Sequence, residues 1–175
     1  KTTLLRAISG FKRITSGYIR INGQLASSGF SHMPPENRNL GFVFQDYALF
    51  PHLNVFENVG FGLGRKVKDR KIKIQSIIEM IDLKNHEKKY PNQLSGGQQQ
   101  RVAIGRALAI NPSAILMDEP FSNLDFSLKS ILSNEVKKII KNTGTTTIMV
   151  THDEREAERL SDECFLLENG KIRKI

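Results

Sequence analysis

Two adjacent carboxylates follow a short apolar run in the sequence. The run SAILM (113–117) is typical of a buried parallel strand, and Asp118 and Glu119 come directly after it. Open α/β sheets bind ligands at the carboxyl ends of such strands. One carboxylate there can hold a hydrated Mg²⁺, while the other can accept a proton from an attacking water. The pair could equally cap a following helix, so it predicts a hydrolytic site only in combination with other motifs.

A second candidate site is LSGGQQQR (94–101), which opens a predicted helix. Its glycines let the backbone approach a ligand closely, and Ser95 offers a hydroxyl. The free N–H groups of a helix N-terminus attract an anion such as a phosphate. The alternative interpretation is an ordinary serine N-cap followed by loose glycines.

The elements that must position these groups alternate along the chain. Apolar runs and turn signals predict strands at 17–23, 40–44, 113–118 and 145–151, the last two buried, and a hairpin at 164–175 around Asn169-Gly170. Helical spacing predicts helices at 1–9, 95–110, 127–142 and 153–160, with a mainly helical, polar stretch at 54–92. This order indicates an α/β domain with a helical insertion.

Composition places the chain among ordinary globular proteins. Of its 175 residues, 39% are hydrophobic and 25% charged, which is enough to bury one core. No apolar run approaches the roughly 18 residues that a membrane span needs. Cys164 is the single cysteine, which excludes an intrachain disulfide and a thiolate metal cluster and fits a reducing compartment.

The net charge of +8 raises the question of nucleic acid, but its distribution favours another interpretation. Residues 1–90 carry 15 Lys/Arg against 7 Asp/Glu, whereas residues 91–175 carry 11 of each. Much of the excess lies in RKVKDRKIK (65–73), which leads into isoleucines at helical spacing. We interpret this stretch as the solvated face of an amphipathic helix and expect no nucleic-acid partner; a nucleic-acid or lipid patch is the alternative.

Six short motifs, read in chain order, together resemble those of the ATP-binding cassette (ABC) family of ATPases, and the match spans nearly the whole chain. They are the end of a Walker A phosphate loop (Lys1-Thr2-Thr3), a Q-loop glutamine (Gln45), the signature LSGGQ (94–98), a Walker B strand with its catalytic glutamate (ILMDE, 115–119), a D-loop (SNLD, 122–125) and a switch histidine (His152). The resemblance implies a P-loop NTPase-like α/β fold, a mixed sheet flanked by helices with an inserted helical subdomain. It divides the chain into a first core segment at 1–53, a helical subdomain with the signature at 54–110, and a second core segment at 111–175.

The resemblance also assigns roles in binding and hydrolysing MgATP. Lys1 would contact the β- and γ-phosphates and Thr3 the α-phosphate. Thr2, Gln45 and Asp118 would hold Mg²⁺. Catalysis would fall to Glu119, which polarises the attacking water, to His152, which touches the γ-phosphate, and to Gln45.

The remaining assigned residues imply a pair of cassettes. In this family two cassettes dock head to tail, so that Ser95, Gly97 and Gln98 would close on the nucleotide of the other copy. Asp125 of the D-loop is likewise assigned to the nucleotide site. The resemblance therefore implies a homodimer or a paired cassette in which ATP joins the two copies.

Motif context resembles the ATPases of bacterial importers fed by binding proteins. GFVFQDYALFPHLNVFENVGFGL (41–63) and LSGGQQQRVAIGRALA (94–109) carry this likeness, which implies integral membrane permease subunits, an indirect substrate-binding protein and a peripheral place on the cytoplasmic face of the plasma membrane. DEPFSNLD (118–125) and the short PPENRNLGFVFQ (34–45) favour iron(III) over polyamines, sulfate, molybdate or sugars. An exporter cassette and a non-transport ATPase are the alternatives; the short separation of Gln45 and Leu94, 49 positions apart, counts against the latter.

The first residues raise one further expectation. In the family, a strand and a glycine-rich turn precede the Lys-Thr pair and wrap the phosphates with backbone N–H groups. We expect the strand to pair beside SAILMD (113–118). We also expect the 175 residues by themselves to show no significant ATP hydrolysis.

Overall fold

The apolar run before the two carboxylates is the middle strand of a parallel sheet. In the computed structural model, which describes residues 1–64, 66–122 and 126–175, β4 (Ala114–Asp118) lies between β3 (Leu40–Val43) and β5 (Thr147–Val150). The central residues of β4, from Ile115 to Met117, are at most 1% exposed, as predicted for a buried strand. β5 is less buried than predicted, with Ile148 39% exposed, because β5 has a single neighbour among the described strands.

The strand register brings the candidate residues to one edge of this sheet. Val43 lies opposite Met117, and Asp118 lies opposite Val150. The residues that follow all three strands therefore emerge at the same carboxyl edge. Gln45, Glu119 and His152 each lie within two residues of their strand's end.

The helices lie close to the predicted positions. They are α1 (Thr2–Ser9), α2 (Val55–Val59), α3 (Arg70–Met80), α4 (Gly96–Ala109), α5 (Phe126–Thr143) and α6 (Glu154–Leu160), of which α1 and α4 pack directly on the parallel sheet. The predicted amphipathic helix is confirmed from Arg70 onward, where Ile74, Ile77 and Ile78 are buried, whereas residues 66–69 of the predicted stretch lie before the helix. Ile72 is 65% exposed, because it lies on the opposite side of the same helix.

Two antiparallel hairpins form separate two-stranded sheets. The predicted C-terminal hairpin is present as β6 (Phe165–Glu168) and β7 (Lys171–Lys174), and Asn169 and Gly170 both have positive φ, as a type I′ turn requires. The strand predicted at 17–23 is β1 (Tyr18–Ile21). Its partner β2 (Gln24–Ser28) was missed, because QLASS has little of the β-branched or aromatic character typical of strands.

The expectation that a further strand pairs beside residues 113–118 is wrong. β4 already has a parallel partner on each side, so neither of its edges can accept another strand.

One hydrophobic core joins these layers. It draws side chains from β3 and β4 and from α2, α3, α4 and α5. Gly41 of β3 shows how closely α4 packs on the sheet, since a Cβ there would lie 3.0 Å from the Ala107 Cβ. The core crosses the predicted boundaries at residues 54 and 110, so that division of the chain stays a prediction. No helix in the described ranges is long and apolar enough to cross a membrane.

Candidate functional site

The first turn of α1 lies against the first of the two carboxylates. The Thr2 hydroxyl donates a hydrogen bond of 2.9 Å to Asp118 Oδ1, across 116 residues of sequence. Asp118 is 8% exposed, so this carboxylate is largely removed from water. A buried carboxylate needs hydrogen-bond donors, and α1 supplies one. The helix-cap interpretation of Asp118 is therefore not needed to explain its position.

Glu119 contacts the predicted switch histidine. Its Oε2 lies 3.0 Å from His152 Nδ1, and the side chains are 28% and 65% exposed, respectively. Its backbone φ is 46°, in the left-handed region that residues other than glycine seldom adopt. The Glu119 N–H is fixed by a 2.9 Å hydrogen bond to the Val150 carbonyl. This unusual backbone turns the carboxylate toward His152 at the sheet edge, and strain of this kind concentrates at functional sites.

Lys1 is held by the loop that carries His152. Its ammonium donates a 2.6 Å hydrogen bond to the Thr151 carbonyl. The structure thus brings five of the predicted residues into one group: Lys1, Thr2, Asp118, Glu119 and His152. Thr3 follows on the exposed side of the same helical turn.

Two residues of this edge, Thr151 and Glu156, were missed by the sequence analysis. The Thr151 hydroxyl donates a 2.5 Å hydrogen bond to Glu156 Oε2 and accepts one of 3.0 Å from the Asp153 N–H. Glu156 is only 4% exposed although it is a carboxylate. The spacing of Asp153 and Glu156 matches a helix N-cap followed by its third residue, a signal that would have indicated this region.

The predicted signature residues form a second group at the start of α4. The Ser95 hydroxyl accepts from the Gln98 N–H at 3.3 Å, and Gln98 Oε1 accepts from the Ser95 N–H at 3.0 Å. This reciprocal capping box corresponds to the N-cap interpretation of the motif within a single chain. Gly97 is buried, and a Cβ there would lie 2.6 Å from a Leu132 methyl. Gln98 also contacts His86, at 3.2 Å.

The segment after Gln45 is fixed by an arginine of α4. Gln45 is exposed, and Tyr47 and Ala48 both have positive φ. Arg106 donates to the carbonyls of these two residues at 2.8 and 2.6 Å. Burial lowers the pKa of Arg106, although the nearby Asp46 opposes this effect. Arg106 was not among the predicted residues, because an arginine within a helix reads as a surface charge.

Aromatic side chains follow the same segment. Phe50 stacks on Phe61 with ring centroids 4.1 Å apart, and Phe61 is 57% exposed. Tyr47 belongs to the core instead, being 5% exposed, and burial raises its pKa. Asn58 is fully buried, and its side-chain amide and carbonyl bond the backbone of Phe50.

The first group of residues fits a hydrated Mg²⁺ bound next to a phosphate. Mg²⁺ in phosphate-transfer sites takes one or two protein oxygens together with substrate phosphates and waters. Thr2 and Asp118 place a hydroxyl and a carboxylate oxygen 2.9 Å apart. Among the described residues, no group of three or more His, Cys, Asp or Glu side chains is suited to hold a metal by itself. The Asp125 assignment lies outside the described residues.

Comparison with known proteins gives this geometry a family. A model of the ABC transporter family matches residues 1–122. The chain is 46% identical to the spermidine/putrescine import ATP-binding protein PotA of Nitratidesulfovibrio vulgaris and 43% identical to the Fe(3+) ions import ATP-binding protein FbpC 2 of Haemophilus influenzae. Each match covers the whole chain but only 47% and 50% of the relative, so the chain spans about half the length of these proteins.

Two further matches cover more of the compared protein. The probable sulfate/thiosulfate import ATP-binding protein CysA of Chlorella vulgaris is 47% identical over the whole chain and 74% of its own length. The dimeric, post-hydrolysis structure of the ATP-binding cassette MJ0796 bound to ADP and Pi superposes with a TM-score of 0.77 at 32% identity, over 99% of this chain and 79% of that one. The predicted fold is thereby confirmed as that of an ABC ATPase cassette. With its family model matched over more than half of its residues, the chain belongs to the ABC transporter family.

Proposed function

We propose that the chain carries the catalytic edge of an ATP-hydrolysing subunit of an ABC importer. The observation that supports this most directly is the pair of contacts at the end of β4. Thr2 lies on Asp118 and His152 lies on Glu119, so the phosphate-loop end, the metal-binding carboxylate and the water-activating carboxylate occupy one sheet edge.

The chemistry follows from the position of each group. Glu119 would accept hydrogen bonds from the attacking water and polarise it, since its side chain is partly exposed at the sheet edge. His152 would orient Glu119 and contact the γ-phosphate as its bond to the β-phosphate breaks. Lys1 would exchange its bond with the Thr151 carbonyl for the phosphate oxygens. Mg²⁺, held by Thr2 and Asp118 and contacted by Gln45, would neutralise phosphate charge in the site.

The second group of residues would serve a paired copy. Ser95 lies exposed at the N-terminus of α4, where free N–H groups favour an anion. We propose that two cassettes join head to tail, with this helix end closing on the nucleotide held by the other copy. The compared MJ0796 cassette is described as dimeric with ADP and Pi bound, which supports a paired arrangement.

A membrane permease is the proposed partner of the segment after Gln45. Exposed Phe61 and its neighbour Phe50 offer an apolar surface there, rigidly supported by Asn58. Such a patch beside the catalytic edge suits a partner that responds to ATP. The subunit would then lie peripherally on the cytoplasmic face of the membrane, with a substrate-binding protein acting indirectly through the permease.

We propose that the transported substrate is a small ion that is imported across the membrane. Relatives named for polyamine, iron(III) and sulfate import are 46%, 43% and 47% identical to the chain. These values do not separate the three, so iron(III) stands as one candidate. The permease and the binding protein would make the choice, because they contact the substrate.

The experiment that tests the proposed function is Glu119→Gln in the full-length protein. Glutamine keeps the size of the side chain but is not a base, so ATP turnover should fall by about 10²–10⁴-fold. Nucleotide binding and ATP-dependent dimerisation should persist, because Glu119 makes no contribution to the phosphate loop. Steady-state ATPase rates and size-exclusion chromatography with ATP measure the two properties.

The opposite result would be equally informative. Turnover within a factor of about two of the wild type would remove Glu119 from the role of base. A wild-type protein that binds no ATP would contradict the proposed function itself.

A further inference from the structure

A buried carboxylate lies behind the catalytic edge and takes no part in the chemistry proposed above. Glu156 is 4% exposed, and its Oε2 accepts a 2.5 Å hydrogen bond from the Thr151 hydroxyl. This distance is typical of the strong bonds that hydroxyl groups make to carboxylates. Burying a carboxylate is costly unless it is hydrogen-bonded, so the position of Glu156 calls for a reason.

The hydroxyl of Thr151 connects Glu156 to the start of α6. It accepts a 3.0 Å hydrogen bond from the Asp153 N–H and donates its own proton to Glu156. Asp153 is the N-cap of α6, and its carboxylate accepts from the N–H groups of Arg155 and Glu156. In an ordinary capping box the third residue would bond the N-cap N–H directly. Here the connection passes through Thr151 instead.

This hydrogen-bonded connection through the Thr151 hydroxyl fixes the residues that carry the catalytic groups. Thr151 presents its carbonyl to the Lys1 ammonium at 2.6 Å. The next residue, His152, reaches Glu119 at 3.0 Å. An ordinary helix cap would not involve Thr151. Here both the side chain and the backbone of Thr151 hold the three-residue connection between β5 and α6 in place.

We propose that Glu156 is a positioning residue that acts through the Thr151 hydroxyl to hold the His152 connection in its hydrolysis-competent geometry. This inference rests on the proposed function, since it concerns the same site. Glu156 does not touch the reacting atoms. Its removal should therefore change the rate of hydrolysis more than the binding of ATP.

Two pairs of variants in the full-length protein test the inference. Glu156→Leu and Thr151→Val each remove one side of the hydrogen bond with little change of volume. Glu156→Gln and Thr151→Ser keep an acceptor and a hydroxyl, respectively. Ser161→Ala is the matched control, because it removes a hydrogen bond to the Ala157 carbonyl at the other end of α6.

The disrupting variants should lower kcat by about 10- to 100-fold, as small misplacements of catalytic groups do, with KM for ATP changed less than about threefold. The conservative variants and Ser161→Ala should stay within about threefold of the wild-type kcat. The double variant Glu156→Leu/Thr151→Val should be no slower than the slower single variant, because both break the same connection.

Hydrogen exchange at the Asp153 amide tests the connection without turnover. Exchange should be faster in both disrupting variants than in the wild type and unchanged in Ser161→Ala. Normal kcat with a lowered unfolding midpoint in Glu156→Leu would reduce Glu156 to a helix cap and overturn the inference. So would unchanged Asp153 exchange in Thr151→Val, even if the protein hydrolysed no ATP. A wild-type protein without turnover, but with the expected exchange, would instead contradict the proposed function.

Discussion

Replacing Arg38 by methionine should destabilise the protein strongly, because this arginine holds together segments distant from each other in sequence. It is 2% exposed, and burial lowers the pKa of its guanidinium. The guanidinium donates to the Ser27 hydroxyl at 2.6 Å and to four backbone carbonyls at 2.8–3.2 Å, those of Ala7, Ile8, Ala26 and Met33. Two of these carbonyls belong to the last turn of α1, whose first turn carries Thr2.

The expected loss can be worked out from these bonds. Methionine matches the stem of arginine but donates no hydrogen bond. The carbonyls of Ala7 and Ala26 would keep a second donor, the N–H groups of Gly10 and Met33. The carbonyls of Ile8 and Met33 would lose the donor that Arg38 gives them, at about 1–3 kcal/mol each. Removing the guanidinium also removes the free-energy cost of burying its charge, which offsets part of this loss. We therefore expect the free energy of unfolding to fall by about 3 kcal/mol.

Urea unfolding followed by far-UV circular dichroism measures this loss, since the chain has no tryptophan to report by fluorescence. At an m-value of about 2 kcal/mol/M, a loss of 3 kcal/mol lowers the midpoint by about 1.5 M. Arg20→Met is the control, because Arg20 is exposed and its contacts with the Gly23 carbonyl and the exposed Tyr18 ring lie at the surface; it should shift the midpoint by less than about 0.3 M. If Arg38→Met shifted it no more than Arg20→Met, the reasoning about the buried carbonyls would be refuted.

Three more substitutions probe the other contacts. Gly97→Ala should lower the free energy of unfolding by about 1–3 kcal/mol in thermal unfolding, since the added Cβ would lie 2.6 Å from a Leu132 methyl. Gly64→Ala is the control, since the nearest atom to its added Cβ would be 3.8 Å away. Equal unfolding midpoints for the two variants would contradict the packing argument. Arg106→Lys should speed amide exchange in residues 46–57, because an ammonium does not match two adjacent carbonyls as a planar guanidinium does; unchanged protection would show that the arginine is dispensable there. Phe50→Asp should leave the intrinsic ATPase of the full-length subunit intact but prevent assembly with the permease, since an unpaired carboxylate at an apolar interface is costly. Normal assembly and transport by Phe50→Asp would show that this side chain does not contact the permease.

The sequence was sufficient to predict the three strands of the parallel sheet and the edge at which they end. Buried parallel strands are continuous apolar runs, so β4 could be recognised from SAILM alone, and the two carboxylates after it had to emerge at the carboxyl edge. The meeting of Glu119 with His152 then follows from the pairing of Asp118 with Val150. The motifs predicted which residues gather there, and the parallel register explains why they can.

The supporting contacts could not be predicted in the same way. Glu156 reads as a solvated residue of a short charged helix, and its burial depends on how α6 packs after β5. Gly97 reads as a place for a ligand to approach, whereas within the chain its missing side chain makes room for Leu132 of α5. Both outcomes depend on tertiary contacts between segments far apart in sequence, which local periodicity does not contain.

The contacts of several arginines could not be predicted from the sequence either, and they bear on how the net charge is interpreted. Arg38 and Arg106 donate to backbone carbonyls at the end of α1 and after Gln45, and Arg70 donates to the carbonyls of Gly60 and Leu63. Carbonyls at helix ends and in left-handed turns lack partners within their own element, and a long cationic side chain can satisfy two at once. These cationic side chains therefore satisfy backbone carbonyls within the fold, and one of them, Arg38, is buried. For a residue such as Arg38, a count of lysines and arginines overstates the charge that is exposed to a nucleic acid or a lipid surface.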